Sequence, residues 1–298
     1  MTGPRAGRVL GVNPSGLHRV AYADWPCRSG EGGEDGEAGG KPPVVCVHGL
    51  TRNAHDFDVF AEAMSADRRV VAVDVAGRGG SDPLPDPAFY GYPQYLADAA
   101  VLLAGLGVPD PVPAVDWVGT SMGGLIGMML AARAGAPIRR LVLNDIGPFL
   151  PEAALRRIGD YVGRDPHFSD VAAATAYLRQ IYPLFGPMTD AQWRAFARHS
   201  VRDSDGGGVR LAYDPAIGDA FREAPPADVD LWPVWDAARC PVLVIRGAES
   251  DILLAETAAE MTRRGPAEAT VITIDGVGHT PALMDEEQIG AIRDWLDR

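Results

Sequence analysis

The chain has 298 residues, 47% hydrophobic and 22% charged, with a formal net charge of −13. That length and apolar content suit one large α/β domain with room for an insertion, and the acidic balance repels nucleic acid and anionic membrane, so neither is an expected partner. The three cysteines, Cys27, Cys46 and Cys240, are odd in number and widely spaced, which excludes a disulfide framework.

The first ten residues, M-T-G-P-R-A-G-R-V-L, hold no apolar segment of signal-peptide length, and the longest apolar run, near 124–132, is too short to span a bilayer. A soluble cytoplasmic protein is expected. Residues 8–25 alternate weakly and predict two edge strands. Residues 28–41 are acidic, Gly-rich and free of large apolar side chains, as a solvated loop would be. Residues 43–47 (P-V-V-C-V) are continuously apolar, the mark of a strand covered on both faces; Cys46 is expected in the core, and His48-Gly49-Leu50 follows at once. A helix is predicted over 53–65 and a second buried strand over 69–73. That strand ends at Asp74, before the glycine-rich turn Gly77-Arg78-Gly79-Gly80-Ser81-Asp82, where Asp74 and Asp82 are suited to hold the turn by local hydrogen bonds. Residues 93–106 carry leucine and alanine at helical spacing.

Residues 115–118 read as the end of another buried strand, and Gly119-Thr120-Ser121-Met122-Gly123 follows as G-x-S-x-G, with helix formers at 125–133. Strand, tight turn and helix, with serine at the turn, give this short motif its meaning. A Cβ at either glycine would collide where the two backbones approach, and the serine is left at the apex in a strained conformation. A strand at 138–143 ends in Asn144-Asp145. Residues 149–232 then change character: helical stretches, many arginines, scattered aromatics and no convincing strand. Strands return at 241–245 and 270–274, with Asp251 after the first and His279 after the second, and 285–296 closes as a helix. Buried strands alternating with helices predict a mostly parallel, doubly wound sheet, on which ligands bind at the carboxyl ends of strands. Leu50, Ser121, Asp145, Asp251 and His279 all fall just past strand ends and should converge on one rim.

Taken together, His48-Gly49, the Gly77-x-Gly79-x-Ser81 turn, Gly119-x-Ser121-x-Gly123, a late-strand acid and Gly278-His279, in that order, resemble the α/β-hydrolase superfamily, in its cap-bearing serine esterase and enol-lactonase-like branch. The resemblance covers roughly 43–145 and 240–298. It implies an α/β-hydrolase core over 1–147 and 233–298, with a helical cap, 148–232, inserted after the sixth strand. It also implies Ser121 as nucleophile and His279 as base, in the chain order Ser, acid, His. Asp251 is the preferred third member, at the commoner family position, with Asp145 as the alternative one strand earlier. The oxyanion hole is expected at the backbone N–H groups of Leu50 and Met122, with His48 supporting that loop.

Serine at the nucleophile position departs from the dehalogenase and epoxide-hydrolase branches. The glycine clusters lack a phosphate-loop Lys-Ser/Thr, and no His/Cys group has metal-ligand spacing, so neither cofactor nor metal is expected. His18, His55, His167 and His199 read as ordinary polar residues. Phe149, Tyr161, Phe168, Tyr177, Tyr182, Phe185, Trp193 and Phe196 are expected to form mainly the cap's own core, a minority facing substrate. Arg156, Arg157, Arg179 and Arg194 read as a solvated face. The expected activity is hydrolysis of a small to medium, largely apolar carboxylic ester or lactone through an acyl-enzyme. The alternatives are a thioester, an amide or a diketone carbon–carbon bond, acyl transfer on the same residues, or a ligand receptor without turnover.

Overall fold

The computed structural model describes residues 3–29, 41–107, 114–183, 185–223 and 226–298. The acidic stretch 30–40 within the expected 28–41 loop lies outside the described residues. The first strands, β1 (Arg5–Asn13) and β2 (Gly16–Trp25), form an antiparallel hairpin. Then follow β3 (Val44–Val47), α1 (Asp58–Met64), β4 (Val70–Val73), α2 (Tyr92–Gly105), β5 (Val115–Thr120), α3 (Met122–Ala131) and β6 (Ile138–Asn144). The eight-stranded sheet is completed by β12 (Val242–Gly247) and β13 (Ala269–Ile274), in the order β1-β2-β4-β3-β5-β6-β12-β13. From β4 to β13 every pairing is parallel; β2 joins β4 antiparallel.

Every residue of β3 and β4 is buried, as their unbroken Val-rich runs require of strands covered on both faces. One face packs on α1 and on α10 (Glu286–Leu296), through Phe57, Phe60, Met64, Ile289, Ile292 and Trp295. The other packs on α2, α3, α8 (Trp232–Ala237) and α9 (Ala255–Met261). Cys46 is fully buried, and Cys27, Cys46 and Cys240 are all free thiols. No helix among the described residues is long and apolar enough to cross a membrane.

Between β6 and α8 the chain leaves the sheet. It forms α4 (Glu152–Gly159), α5 (Val171–Ile181), α6 (Asp190–Ser200) and α7 (Asp219–Glu223). Helices dominate the segment as expected, but it also holds short strands where the sequence showed no convincing one. A ribbon of β7 (Phe149–Leu150) and β11 (Val229–Asp230) ties the start of this segment to its end. A three-stranded sheet, β8 (His167–Phe168), β10 (Val209–Leu211) and β9 (Val201–Asp203), backs the helices. Strands of two or three residues are shorter than the alternation needed to recognise them in sequence.

Candidate active site

Ser121 occupies the turn between β5 and α3 at φ 50° and ψ −115°. A positive φ is uncommon for a residue with a Cβ, and here the surrounding bonds enforce it. Ser121 N–H donates to Asn144 O (3.0 Å), while Ser121 O accepts from Gly124 N–H (2.8 Å) and Leu125 N–H (3.1 Å). A Cβ on Gly119 would overlap Gly123 O, and one on Gly123 would overlap Val47 O. Both glycines are therefore fixed by backbone approach, as the motif requires.

His279, in the loop between β13 and α10, places Nε2 3.0 Å from Ser121 Oγ. Its Nδ1 lies 2.7 Å from Asp145 Oδ2. Asp145 follows β6, the strand adjacent to β5, and is fully buried. Its Oδ1 accepts from Gly247 N–H (2.7 Å) and its Oδ2 accepts also from Ser250 Oγ (2.6 Å). A carboxylate only accepts, so the proton of a neutral His279 belongs on Nδ1, leaving Nε2 free to accept from the serine hydroxyl.

Asp251, the preferred acid on sequence grounds, is not at this centre. It points outward, half-exposed, and pairs with Arg157 of α4 through Nε (2.5 Å) and Nη2 (2.8 Å). The loop after β12 turns Ser250 inward, and Ser250 serves the carboxylate from β6. Asp145 itself has φ 56°, an unusual conformation that a sequence does not disclose.

The backbone around Leu50 is fixed by two buried side chains. Val75 N–H donates to His48 Nε2 (3.0 Å), so His48 Nδ1 carries the proton and donates to Gly49 O (2.7 Å). Burial, aided by the nearby Arg78 and Arg52 charges, brings His48 down to about 3, and the ring stays neutral. The bond to Gly49 O anchors the same peptide group whose N–H belongs to Leu50. Met122 is the first residue of α3, so its N–H has no acceptor within the helix. Asp74 accepts from Ala54 N–H and Gly80 N–H, and Asp82 pairs with Arg19; both hold the glycine-rich turn.

Two cavities meet at Ser121. One, about 200 Å³, is walled by Tyr90, Tyr92, Tyr95, Leu125, Ile158 and Phe221 among others, and is almost wholly apolar. It shares Tyr92, Leu155 and Phe221 with an outer cavity of about 660 Å³ that has Arg156 and Asp228 on its lining. The other, about 40 Å³, lies on the His279 side and holds Thr51, Arg52, Asp56, Tyr161, Tyr182 and Phe185. Of the eight aromatics singled out from sequence, Tyr161, Tyr182 and Phe185 reach this smaller space. Phe168, Trp193 and Phe196 are buried within the inserted segment. The tyrosines of 90–95 and Phe221 were missed; Tyr92 and Tyr95 lie in the first turn of α2, and their place beside Ser121 follows from the strand order. Arg156, Arg157 and Arg179 pair with Glu152, Asp251 and Asp190. His18 is buried, with Asp98 3.0 Å away.

His55, Asp58 and His199 bring possible ligand atoms within 4.8 Å of one another, a grouping invisible in the sequence. The two imidazoles stack 3.9 Å apart and 20° from parallel, so their in-plane lone pairs do not converge on one ion.

A parallel sheet with a strained serine turn, and an imidazole bridging that serine to a buried carboxylate at the same rim, defines an α/β hydrolase. The chain belongs to the alpha/beta hydrolase family, whose model matches residues 44–292. It is 44% identical over 294 residues to a 3-hydroxybutyrate-oligomer hydrolase of Cupriavidus necator, covering 96% of this chain and 95% of that protein. It is 28% identical over 263 residues to a 2-(acetamidomethylene)succinate hydrolase of Mesorhizobium japonicum, covering 88% and 90%. Among solved structures, an alpha/beta hydrolase from Novosphingobium aromaticivorans superposes with TM-score 0.85 at 35% identity, covering 100% of this chain and 99% of that one.

Proposed function

We propose that this chain is a serine hydrolase of carboxylic esters, working through an acyl-enzyme on Ser121, with His279 as base and Asp145 as its carboxylate partner. The observation that carries this reading is the unbroken line from Ser121 Oγ to His279 Nε2 and from His279 Nδ1 to Asp145 Oδ2, at 3.0 and 2.7 Å, on the floor of an apolar cavity. Ser121 Oγ attacks the ester carbonyl while His279 Nε2 takes its proton. The C–O double bond opens to an alkoxide held by Leu50 N–H and Met122 N–H. Collapse breaks the bond to the leaving oxygen, which takes the proton from His279, and water then repeats the sequence on the acyl-enzyme. Asp145 keeps its charge and stabilises the imidazolium.

Residues 148–232 act in this reading as a cap whose helices wall the acyl space. The relative from Cupriavidus suggests the substrate class: short linear oligoesters of a 3-hydroxy acid. An apolar inner cavity continuing into a larger outer one suits an acyl chain of several ester units, and the smaller space beside His279, which also holds Thr51, Arg52 and Asp56, suits a short leaving alcohol. The test is labelling by a fluorophosphonate, followed by turnover of p-nitrophenyl butyrate and of the 3-hydroxybutyrate dimer and trimer. Labelling at Ser121 with turnover of all three is expected. Turnover that survives Ser121→Ala ends the mechanism; ester turnover without oligomer turnover ends the substrate assignment only.

A further inference from the structure

Arg78 is 1% exposed, and among the described residues no carboxylate lies within ion-pair distance of it. Its Nε donates to Leu50 O (2.9 Å), and its Nη1 donates to Ala76 O (2.7 Å) and Tyr95 Oη (3.0 Å). Its Nη2 lies 3.6 Å from Met122 Sδ. The rings of Tyr90 and Tyr95 stand 5.6 and 5.2 Å from the guanidinium carbon. One side chain therefore touches both residues whose N–H groups the mechanism above assigns to the oxyanion, at Leu50 O and at Met122 Sδ.

We propose that Arg78 is a positioning residue for the oxyanion hole, and that its unpaired charge finds its counterion only when the tetrahedral intermediate forms. This rests on the serine mechanism above and extends it to a residue outside the three reacting side chains. Its physical basis is a cost and a return. A guanidinium removed from water without an anion is unfavourable in the resting protein, and carbonyls, a phenol and aromatic faces compensate only in part. The same charge in a low-dielectric surround favours an anion created nearby, with no reorganisation needed at the moment of reaction. The two peptide groups flanking Leu50 are held from opposite ends: His48 grips Gly49 O and Arg78 grips Leu50 O.

The turn is built to present this side chain. Gly77 and Gly79 on either side have φ +80° and +54°. A Cβ on Gly77 would meet the Tyr90 phenol at 2.6 Å, and one on Gly79 would overlap the Asp74 carboxylate. Gly79 N–H donates to Ala212 O (3.0 Å), locking the turn to the inserted segment.

The test compares Arg78→Gln and Arg78→Lys with the unaltered enzyme. The readouts are kcat and KM for p-nitrophenyl butyrate, inhibition by a trifluoromethyl ketone that forms a tetrahedral adduct, inhibition by butyrate, and the unfolding temperature. For Arg78→Gln, kcat should fall about 10- to 100-fold and ketone inhibition should weaken in parallel, while KM and butyrate inhibition stay within about twofold. Arg78→Lys keeps the charge but loses the fork, and should lose about three- to tenfold in kcat. A folded Gln or Lys variant with unchanged kcat overturns the proposal, as does a loss confined to KM. If Gln fails to fold, the Lys variant decides. An unaltered enzyme that neither labels nor turns over ester would instead remove the serine mechanism itself.

Discussion

Replacing Asp145 by asparagine separates the two aspartates most sharply. Asp145 is fully buried and accepts three hydrogen bonds, from Gly247 N–H, Ser250 Oγ and His279 Nδ1. An amide has only one accepting oxygen. If its NH2 takes the Oδ2 place, it faces His279 Nδ1, which must give up its proton and leave Nε2–H pointing at Ser121. The base is then lost. If the NH2 takes the Oδ1 place, it meets Gly247 N–H, two donors with nothing between them. The first orientation costs the base; the second leaves two buried donors unpaired, at about 1–3 kcal/mol of stability. In comparable triads the wrong tautomer lowers kcat about 10⁴-fold, about 5 kcal/mol in the barrier. Asp251→Asn loosens a half-exposed ion pair to Arg157, worth about 1 kcal/mol or less, and should change kcat/KM by about twofold at most. The assay is kcat/KM on p-nitrophenyl butyrate for both variants, with unfolding temperatures measured alongside. A larger loss in Asp251→Asn than in Asp145→Asn would refute the assignment.

Gly123→Ala drives a methyl into Val47 O. It should cost about 4 kcal/mol or more and appear as insoluble protein or an unfolding temperature lowered by about 10 °C, read by differential scanning fluorimetry. Leu155→Trp narrows the passage between the inner and outer cavities. It should lower kcat/KM for p-nitrophenyl dodecanoate about tenfold and leave the acetate within about twofold; equal loss on both would show that acyl chains take another route. Burial pushes the Asp116 carboxyl up to about 6 from its ordinary 3.8, against the pull of Arg139. A raised carboxyl binds its proton more tightly folded than unfolded, so its contribution is full in acid and is lost as pH rises from about 4 to 6. The stability of Asp116→Asn relative to the unaltered protein should therefore rise by about 3 kcal/mol across that window, measured by urea unfolding at each pH. A flat difference would place the carboxyl at its ordinary value.

The Ser121 turn was legible because its signature is local: Gly119 and Gly123, held to glycine by the backbones of Gly123 and Val47, sit two residues on either side of the serine. The parallel sheet was legible because strands covered on both faces leave unbroken apolar runs. The aspartate that meets His279 was not, because the choice between Asp145 and Asp251 depends on which way two loops turn. That is settled by the φ of Asp145 and by Ser250 entering the gap, neither of which has a periodic trace. Arg78 read only as part of a glycine-rich turn, since its partners at Leu50 and Met122 come from two other strand ends. The apolar cavity drew on residues 90–95 for a similar reason. Their proximity to Ser121 follows from the order β4-β3-β5, which short-range pattern does not encode.

Because Asp145, next to the strand that carries Ser121, meets His279, the 248–253 loop is left with a different contact. Its outward carboxylate fastens α4, so that loop couples the inserted segment to the sheet instead of holding the imidazole. The Asp251–Arg157 pair thus sits at the surface, apart from the line that joins Ser121, His279 and Asp145.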